Sequence, residues 1–285
     1  MSSVDPNFFI NLSYSLTSLG LGSCHLRGNF PKNIFKLPNI KFLNLDHNPD
    51  LTVQFPKSNW SSPLEVLNAS LASLSGELSE SFGNLKSLGI LDLTGCNLSG
   101  PIPTSLGNLT QLEFLVLRSN YFRGKIPSSL TNLTKLRMLV LNDNQLEGSL
   151  PDNPNEFPNL GILDLSDNLL SGITSWLYTI PRLTYLNLGN NKFIGHISEF
   201  HSNFIGGDLP ILPPLIKFLS VSNNSLTGKF PDICSAKFIE ILDMSHNNFS
   251  RVIPQCIGSF SQDLSSLNLK MNKLRRAIPS TFSKG

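Results

Sequence analysis

Apolar and polar positions follow one another along this chain in a short motif, a leucine, any residue and a second apolar residue, that returns eleven times. The first leucine of each motif is Leu19, Leu43, Leu67, Leu91, Leu115, Leu139, Leu163, Leu186, Leu219, Leu242 or Leu267. Successive motifs are separated by 24 residues six times running, then by 23, 33, 23 and 25. A period in the twenties predicts a solenoid, in which each coil buries its apolar edge against its neighbours.

Within one motif, the alternation predicts a strand with a core side and a free side. Leu91 and Leu93 are expected to point into the core, whereas Ile90, Asp92 and Thr94 point the other way. Coils of this kind stack through parallel strands about 4.8 Å apart. The pattern therefore predicts a parallel sheet with one face open to solvent.

The fifth position after the motif leucine is mostly asparagine. It is Asn48, Asn120, Asn144, Asn168, Asn191, Asn224, Asn247 or Asn272. An inward asparagine can bond turn amides and carbonyls that would otherwise be buried without partners. Cys24, Ala72 and Cys96 take this position in three coils, and we expect them to be small buried groups there.

Three consecutive coils show a longer consensus: "LDLTGCNLSGPIPTSLGNLTQ", "LVLRSNYFRGKIPSSLTNLTK" and "LVLNDNQLEGSLPDNPNEFPN". They resemble the plant extracellular leucine-rich repeat, and most specifically the ectodomains of plant receptor-like proteins, from about Leu16 to Pro279. The resemblance implies an α/β solenoid, a curved right-handed superhelix of about 11 coils with a parallel β-sheet on its concave face. Family members carry cysteine-paired caps at both ends, which this sequence lacks, so we interpret the chain as a fragment, splice form or incomplete gene model of a longer receptor.

The repeats divide the chain into four segments. We predict a pre-repeat segment with an incomplete N-terminal cap at 1–15, repeats 1–8 at 16–198, and repeats 9–11 with a truncated C-terminus at 215–285. Residues 199–214 are predicted to be an irregular insertion or a splicing junction, because Gly206, Gly207 and three prolines interrupt the repeat there.

Composition narrows the functions open to the chain. Only 15% of its 285 residues are charged and the net charge is +2, which argues against a nucleic-acid partner. No run of about 20 apolar residues that could span a membrane is present, and the N-terminus lacks the features of a secretory signal. His196 and His201 do not form a zinc-protease motif, and we expect no catalytic residue, metal or cofactor.

Cysteines and glycosylation sequons indicate whether the chain is secreted or stays inside the cell. Cys234 and Cys256 lie just beyond the prolines of adjacent coils, which places them within possible bridging distance. We expect either a disulfide or two packed thiols there. Eight Asn-x-Ser/Thr sequons occur, at Asn11, Asn59, Asn68, Asn97, Asn108, Asn132, Asn223 and Asn248. Some of these sequons are part of the repeat consensus itself, but the presence of eight favours a secreted origin. A glycan on Asn68, on the predicted concave strand, would direct a ligand toward later coils.

Coils five and six carry unusual side chains on the predicted free face. Phe114, Val116, Met138 and Val140 form an apolar patch beside Arg118, where other coils place Asp or Asn. Aromatic, Met and Arg groups on a polar face are typical of binding interfaces. The alternative is that Phe114 and Met138 pack partly against the sheet. The candidate ligand site comprises Phe114, Val116, Arg118, Met138, Val140, Asn142, Asp164, Tyr185 and Asn187.

The resemblance implies a non-enzymatic receptor segment on the extracellular side of the plasma membrane. Such a segment would bind a peptide, protein or glycan on the concave face and signal through a partner receptor kinase in defence or development. Two alternatives are a secreted inhibitor resembling polygalacturonase-inhibiting proteins and a non-functional truncated product.

Overall fold

The structure, a computed structural model, describes two compact units, Met1–Leu146 and Glu147–Gly285. The residues described are 15–58, 60–151, 157–178, 180–196, 212–228, 233–259, 263–275 and 278. Residues 1–14 of the predicted pre-repeat segment and 199–211 of the predicted insertion therefore lie outside the described residues.

In the first unit, each repeat contributes one three-residue inner strand. In chain order these are β1 (Ser18–Gly20), β3 (Phe42–Asn44), β5 (Val66–Asn68), β7 (Ile90–Asp92), β9 (Phe114–Val116) and β11 (Met138–Val140). Within this unit, successive inner strands pair in parallel, so that Leu43 faces Leu67 and Leu67 faces Leu91. The motif leucines thus form one column.

Shorter outer strands alternate with the inner ones in the first unit. They are β2 (Gly28–Asn29), β4 (Leu51–Thr52), β6 (Gly76–Glu77), β8 (Leu98–Gly100), β10 (Tyr121–Gly124) and the beginning of β12 (Gln145–Ser149), whose last three residues belong to the second unit. Four short 3-10 helices follow outer strands: η1 (Lys32–Lys36), η2 (Glu80–Asn84), η3 (Thr104–Asn108) and η4 (Ser128–Asn132). Every helix among the described residues is of this tight 3-10 kind, which fits a crossing of only a few residues.

The second unit repeats this arrangement. Its inner strands are β13 (Ile162–Asp164), β15 (Tyr185–Asn187), β17 (Phe218–Ser220), β19 (Ile241–Asp243) and β21 (Ser266–Asn268). Its other outer strands are β14 (Leu169–Gly172), β16 (Ile194–His196), β18 (Ser225–Gly228), β20 (Asn248–Arg251) and β22 (Lys273–Leu274), with 3-10 helices η5 (Ser175–Tyr178), η6 (Ile233–Ser235) and η7 (Gln255–Ser259). β15 still pairs in register with β17 across the longer interval. The predicted stacking of parallel strands is confirmed within both units.

The inward asparagines connect successive coils through buried hydrogen bonds. Asn120 Nδ2 donates to the carbonyls of Leu93 and Leu117, and its Oδ1 accepts from the backbone N–H groups of Cys96 and Leu98. The predicted role of this position is confirmed. Cys96 keeps part of it, since its buried thiol donates to Ala69 O at 3.0 Å.

One expectation about this position is wrong. Cys24 is exposed, not buried, because it belongs to the first described coil and no described strand precedes that coil to cover it.

Candidate functional site

The free face of the first unit is built from columns of side chains, one residue per coil. The first column is apolar and only partly buried: Phe42, Val66, Ile90, Phe114 and Met138. The second column, two residues further on, reads Asn44, Asn68, Asp92, Val116 and Val140. Strand pairing sets Phe114 beside Met138 and Val116 beside Val140. The structure therefore brings the four predicted apolar residues together as one patch.

The second column normally has a structural role, which sequence reasoning missed. Asn44, Asn68 and Asp92 each accept a hydrogen bond from the backbone N–H two residues later, at 2.9–3.0 Å. In the second unit Asp164, Asn187, Ser220, Asp243 and Asn268 make the same bond. The recurrence of Asp, Asn or Ser after the motif leucine was the available signal.

The inward asparagine creates the need for this bond. Phe114 N–H donates to Gly89 O, and the same spacing would direct the N–H of Arg118 to Leu93 O. Asn120 Nδ2 occupies that carbonyl instead, at 2.8 Å. In coils with an inward asparagine, the N–H two residues beyond the second-column position therefore relies on a side-chain acceptor. The coil of Ala72, which has no such asparagine, makes the same bond between Ser70 N–H and Asn68 Oδ1.

Val116 and Val140 cannot supply that acceptor. Among the described residues, the backbone N–H groups of Arg118 and Asn142 have no hydrogen-bond partner. Asn142 Oδ1 is buried and also lacks a partner there. Two adjacent coils therefore place half-buried valines on the free face where most other coils carry a polar acceptor. Arg118 is exposed beside them and forms no ion pair within the described residues.

Asp164, Tyr185 and Asn187, the other predicted site residues, lie in the second unit and are engaged in local contacts. Asp164 Oδ1 accepts from the backbone and hydroxyl of Ser166, and Asp164 Oδ2 is 3.4 Å from the Tyr185 hydroxyl. The Tyr185 ring stacks on Phe218 with centroids 4.3 Å apart. The polar groups of these residues bond to one another or to nearby residues, unlike the apolar patch of the first unit.

The predicted glycosylation sites differ in accessibility. Asn97, Asn108, Asn132 and Asn223 are exposed, Asn68 and Asn248 are half-buried, and Asn11 and Asn59 lie outside the described residues. Asn68 Oδ1 accepts from Ser70 N–H, and its amide nitrogen has no hydrogen-bond partner among the described residues. This geometry is compatible with a glycan on the inner strand β5.

Cys234 and Cys256 are joined as a disulfide in the structure, with Cα atoms 5.6 Å apart. They lie on η6 and η7, which belong to adjacent coils of the second unit. Within the described residues, no three His, Cys, Asp or Glu side chains converge as a metal site would require. Nor do those residues form a helix with the length and apolar character to cross a membrane.

Comparisons with known proteins agree with the observed repeat. Two family models, both described as leucine-rich repeat, match residues 134–193 and residues 87–109, 111–133, 182–211, 215–236 and 238–260, together more than half of the chain. Receptor-like protein 32 of Arabidopsis thaliana is 37% identical over 113 residues, which make up 39% of this chain and 13% of that protein. The match therefore spans a small part of that longer relative.

Solved structures show the same fold over nearly the whole chain. The ectodomain of the Arabidopsis thaliana receptor kinase GASSHO1/SCHENGEN3, in complex with CASPARIAN STRIP INTEGRITY FACTOR 2, aligns with a TM-score of 0.76 and 26% identity over 95% of this chain and 37% of its own. The Arabidopsis receptor kinase HAESA, in complex with the peptide hormone IDA and the co-receptor SERK1, aligns with a TM-score of 0.63 and 28% identity over 91% of this chain and 46% of its own. This chain belongs to the leucine-rich-repeat family, with repeats of the plant receptor-like type.

Proposed function

We propose that the chain is an extracellular ligand-recognition segment that acts at the plasma membrane through a partner receptor kinase, in defence or development. It binds a peptide, protein or glycan on its inner sheet face and carries out no chemistry of its own. The similarity to ectodomains solved with a peptide hormone and a co-receptor supports a peptide as the first ligand to test.

The single observation that carries this proposal is the pair Val116 and Val140. Each valine leaves a backbone N–H without a hydrogen-bond partner among the described residues, whereas the eight polar second-column residues accept that bond. Together with Phe114 and Met138 they present an apolar surface with a cation, Arg118, at its edge. A ligand that covers this surface removes apolar area from water and can bond the two free N–H groups.

The ligand is expected to lie on the later coils of the first unit. A glycan on Asn68 of β5 would crowd the inner face two coils before Val116. In the coil between them, Asp92 Oδ1 already accepts hydrogen bonds from the N–H and the hydroxyl of Thr94. The patch between β9 and β11 is free of such obstruction. We infer that an apolar anchor of the ligand sits on Val116 and Val140, with a carboxylate or other acceptor near Arg118.

The double variant Val116→Asp and Val140→Asp tests the proposal. Binding of synthetic extracellular peptides and cell-wall oligosaccharides is measured by biolayer interferometry, with and without a co-receptor ectodomain. We expect affinity to fall by at least roughly tenfold, because two apolar contacts are replaced by charges. The variant should remain folded, since each aspartate can accept from the N–H that the valine left free.

A matched control adds two negative charges elsewhere in the same unit. Asn84→Asp and Ser87→Asp alter exposed positions at the end of η2 and just beyond it, away from the inner face. This control should bind like the unchanged chain. A ligand that binds the valine double variant with full affinity would refute the proposed surface.

A further inference from the structure

One coil of the first unit lacks the helical turn that its neighbours carry. η1 lies in the coil before it and η2 in the coil after it, but the described residues between β4 and β5 form no helix. Its sequence, "VQFPKSNWSSPLE", also departs from the repeat consensus. The space that a helix would fill between η1 and η2 is left to side chains.

Aromatic rings fill the base of that space. Trp60 is 2% exposed, stacks on Phe55 at 5.5 Å and meets Phe35 and Phe82 edge-on at 5.3 and 4.9 Å. Its indole N–H donates to Phe35 O at 3.2 Å, so the ring is fixed in orientation. Edge-to-face and offset contacts of this kind make the base of the space a rigid apolar floor.

Above this floor the coil is open as a groove of about 560 Å³. Phe55, Leu78 and Phe82 line its apolar part, and the exposed Lys32, Lys36 and Lys57 line its rim. Within the described residues none of the three lysine ammonium groups has an ion-pair or hydrogen-bond partner, and Lys57 is bonded only through its carbonyl, which accepts from the Ser79 hydroxyl. Only one carboxylate, Glu77, lines the groove with them. Elsewhere in this unit Lys41 is paired with Glu65 at 2.8 Å.

We propose that this groove is a second binding site, for a small amphipathic anion that carries one carboxylate, sulfonate or phosphate on an apolar or aromatic body. The volume is that of a small-molecule site, the floor offers apolar contact, and the rim offers three cations against one anion. A fully polar anion would leave the floor unused, and an uncharged apolar molecule would leave the lysines unused. This site lies away from the inner face and does not depend on the proposed receptor function.

Tryptophan fluorescence gives a site-specific measurement. The chain has two tryptophans, Trp60 and Trp176, so the Trp176→Phe variant leaves only the ring beneath the groove. The probe is anilinonaphthalene sulfonate, and the matched uncharged probe is phenylnaphthylamine, which lacks the sulfonate. We expect saturable one-to-one binding of the sulfonate, seen as energy transfer from Trp60, with weaker binding of the uncharged probe.

Charge variants separate the rim from the floor. Lys32→Ala with Lys36→Ala should weaken sulfonate binding roughly tenfold and leave the uncharged probe nearly unchanged. The control Lys125→Ala with Lys135→Ala removes the same charge from other exposed positions and should bind normally. Near-ultraviolet circular dichroism must show that every variant is folded.

Three results would overturn the site: no saturable transfer from Trp60, equal affinity for the charged and uncharged probes, or equal loss in both lysine double variants. The Val116→Asp and Val140→Asp variant should bind the sulfonate normally. Failure of one site is thus distinguishable from failure of the other.

Discussion

At the residue scale, the fold depends on side chains that bond backbone carbonyls and N–H groups in place of other backbone groups. Asn191 occupies the Leu165 carbonyl of the preceding coil, and Asn187 of the second column accepts the N–H of Gly189 in the same coil. The inward asparagine and the second-column acceptor occur together in most coils. Val116 and Val140 break the pair, and they do so side by side.

We predict that Asp92→Val lowers stability although it only extends the valine column. Asp92 Oδ1 accepts from Thr94 N–H at 3.0 Å and from its hydroxyl at 2.7 Å, and valine can accept neither bond. The cost should be about 1–3 kcal/mol, seen as a lower thermal midpoint by circular dichroism. The reciprocal variant Val116→Asp should keep or raise the midpoint. If Asp92→Val were neutral, the structural role assigned to this column would be wrong.

The four cysteines are predicted to react in three classes. Burial raises the pKa of the Cys96 thiol to about 12, so it stays protonated and unreactive in the folded chain at about pH 8. Cys24 is exposed and should be alkylated under the same conditions. Cys96 should react only after unfolding, and Cys234 and Cys256 only after reduction. Peptide mass spectrometry measures each class, and alkylation of Cys234 without reduction would exclude the disulfide.

At the element scale, successive 3-10 helices are linked across coils. Glu80 of η2 accepts from Ser105 N–H at 2.9 Å and Thr104 N–H at 3.3 Å, both at the start of η3. The pKa of the Glu80 carboxyl is lowered, first by the Ser105 side chain. Burial, the next largest effect, raises it, and the backbone N–H groups of Ser105 and Thr104 lower it again. We assign the contact to the backbone donors, because the Ser105 hydroxyl makes no hydrogen bond within the described residues.

This contact predicts a pH dependence of stability. A carboxyl with a lower pKa in the folded chain stabilises it above the ordinary value of 4.5, and the effect is lost as pH falls through the folded pKa. Glu80→Gln should therefore lower the thermal midpoint slightly at about pH 6 and become equal to the unchanged chain at about pH 3. The size should be small, since the group is exposed. Glu77→Gln, an equal charge change without this contact, should not show the same trend.

At the scale of the whole molecule, each coil is stabilised by its neighbours. A disulfide between adjacent coils should therefore act mainly on the unit that contains it. Cys234 and Cys256 enclose a separation of 22 residues, for which chain entropy predicts about 3 kcal/mol of stabilisation.

We predict that Cys234→Ser with Cys256→Ser destabilises the second unit more than the first. Trp176 belongs to the second unit and Trp60 to the first, so single-tryptophan variants report the two units separately. The thermal midpoint from Trp176 should fall further than that from Trp60. Equal shifts would show that the chain unfolds as one cooperative body.

The sequence by itself determined the repeat, its period and the inner column of leucines, because stacking forces every coil to bury the same positions. It also located the inward asparagines and the apolar residues at 114, 116, 138 and 140. Each of these is a local rule repeated along the chain, so one coil predicts the next.

Only the tertiary structure decided which of these positions are constrained. Val116 differs from other second-column residues because it cannot accept a hydrogen bond from the backbone N–H of Arg118. That difference is visible only in the stacked coils, where Asn120 bonds the Leu93 carbonyl of the preceding coil. The groove beneath Lys32, Lys36 and Lys57 depends on three coils at once, since it exists where the described residues of the middle coil form no helix. Periodicity describes what coils share, whereas these two sites arise where neighbouring coils differ, and their side chains come together only when the coils are stacked.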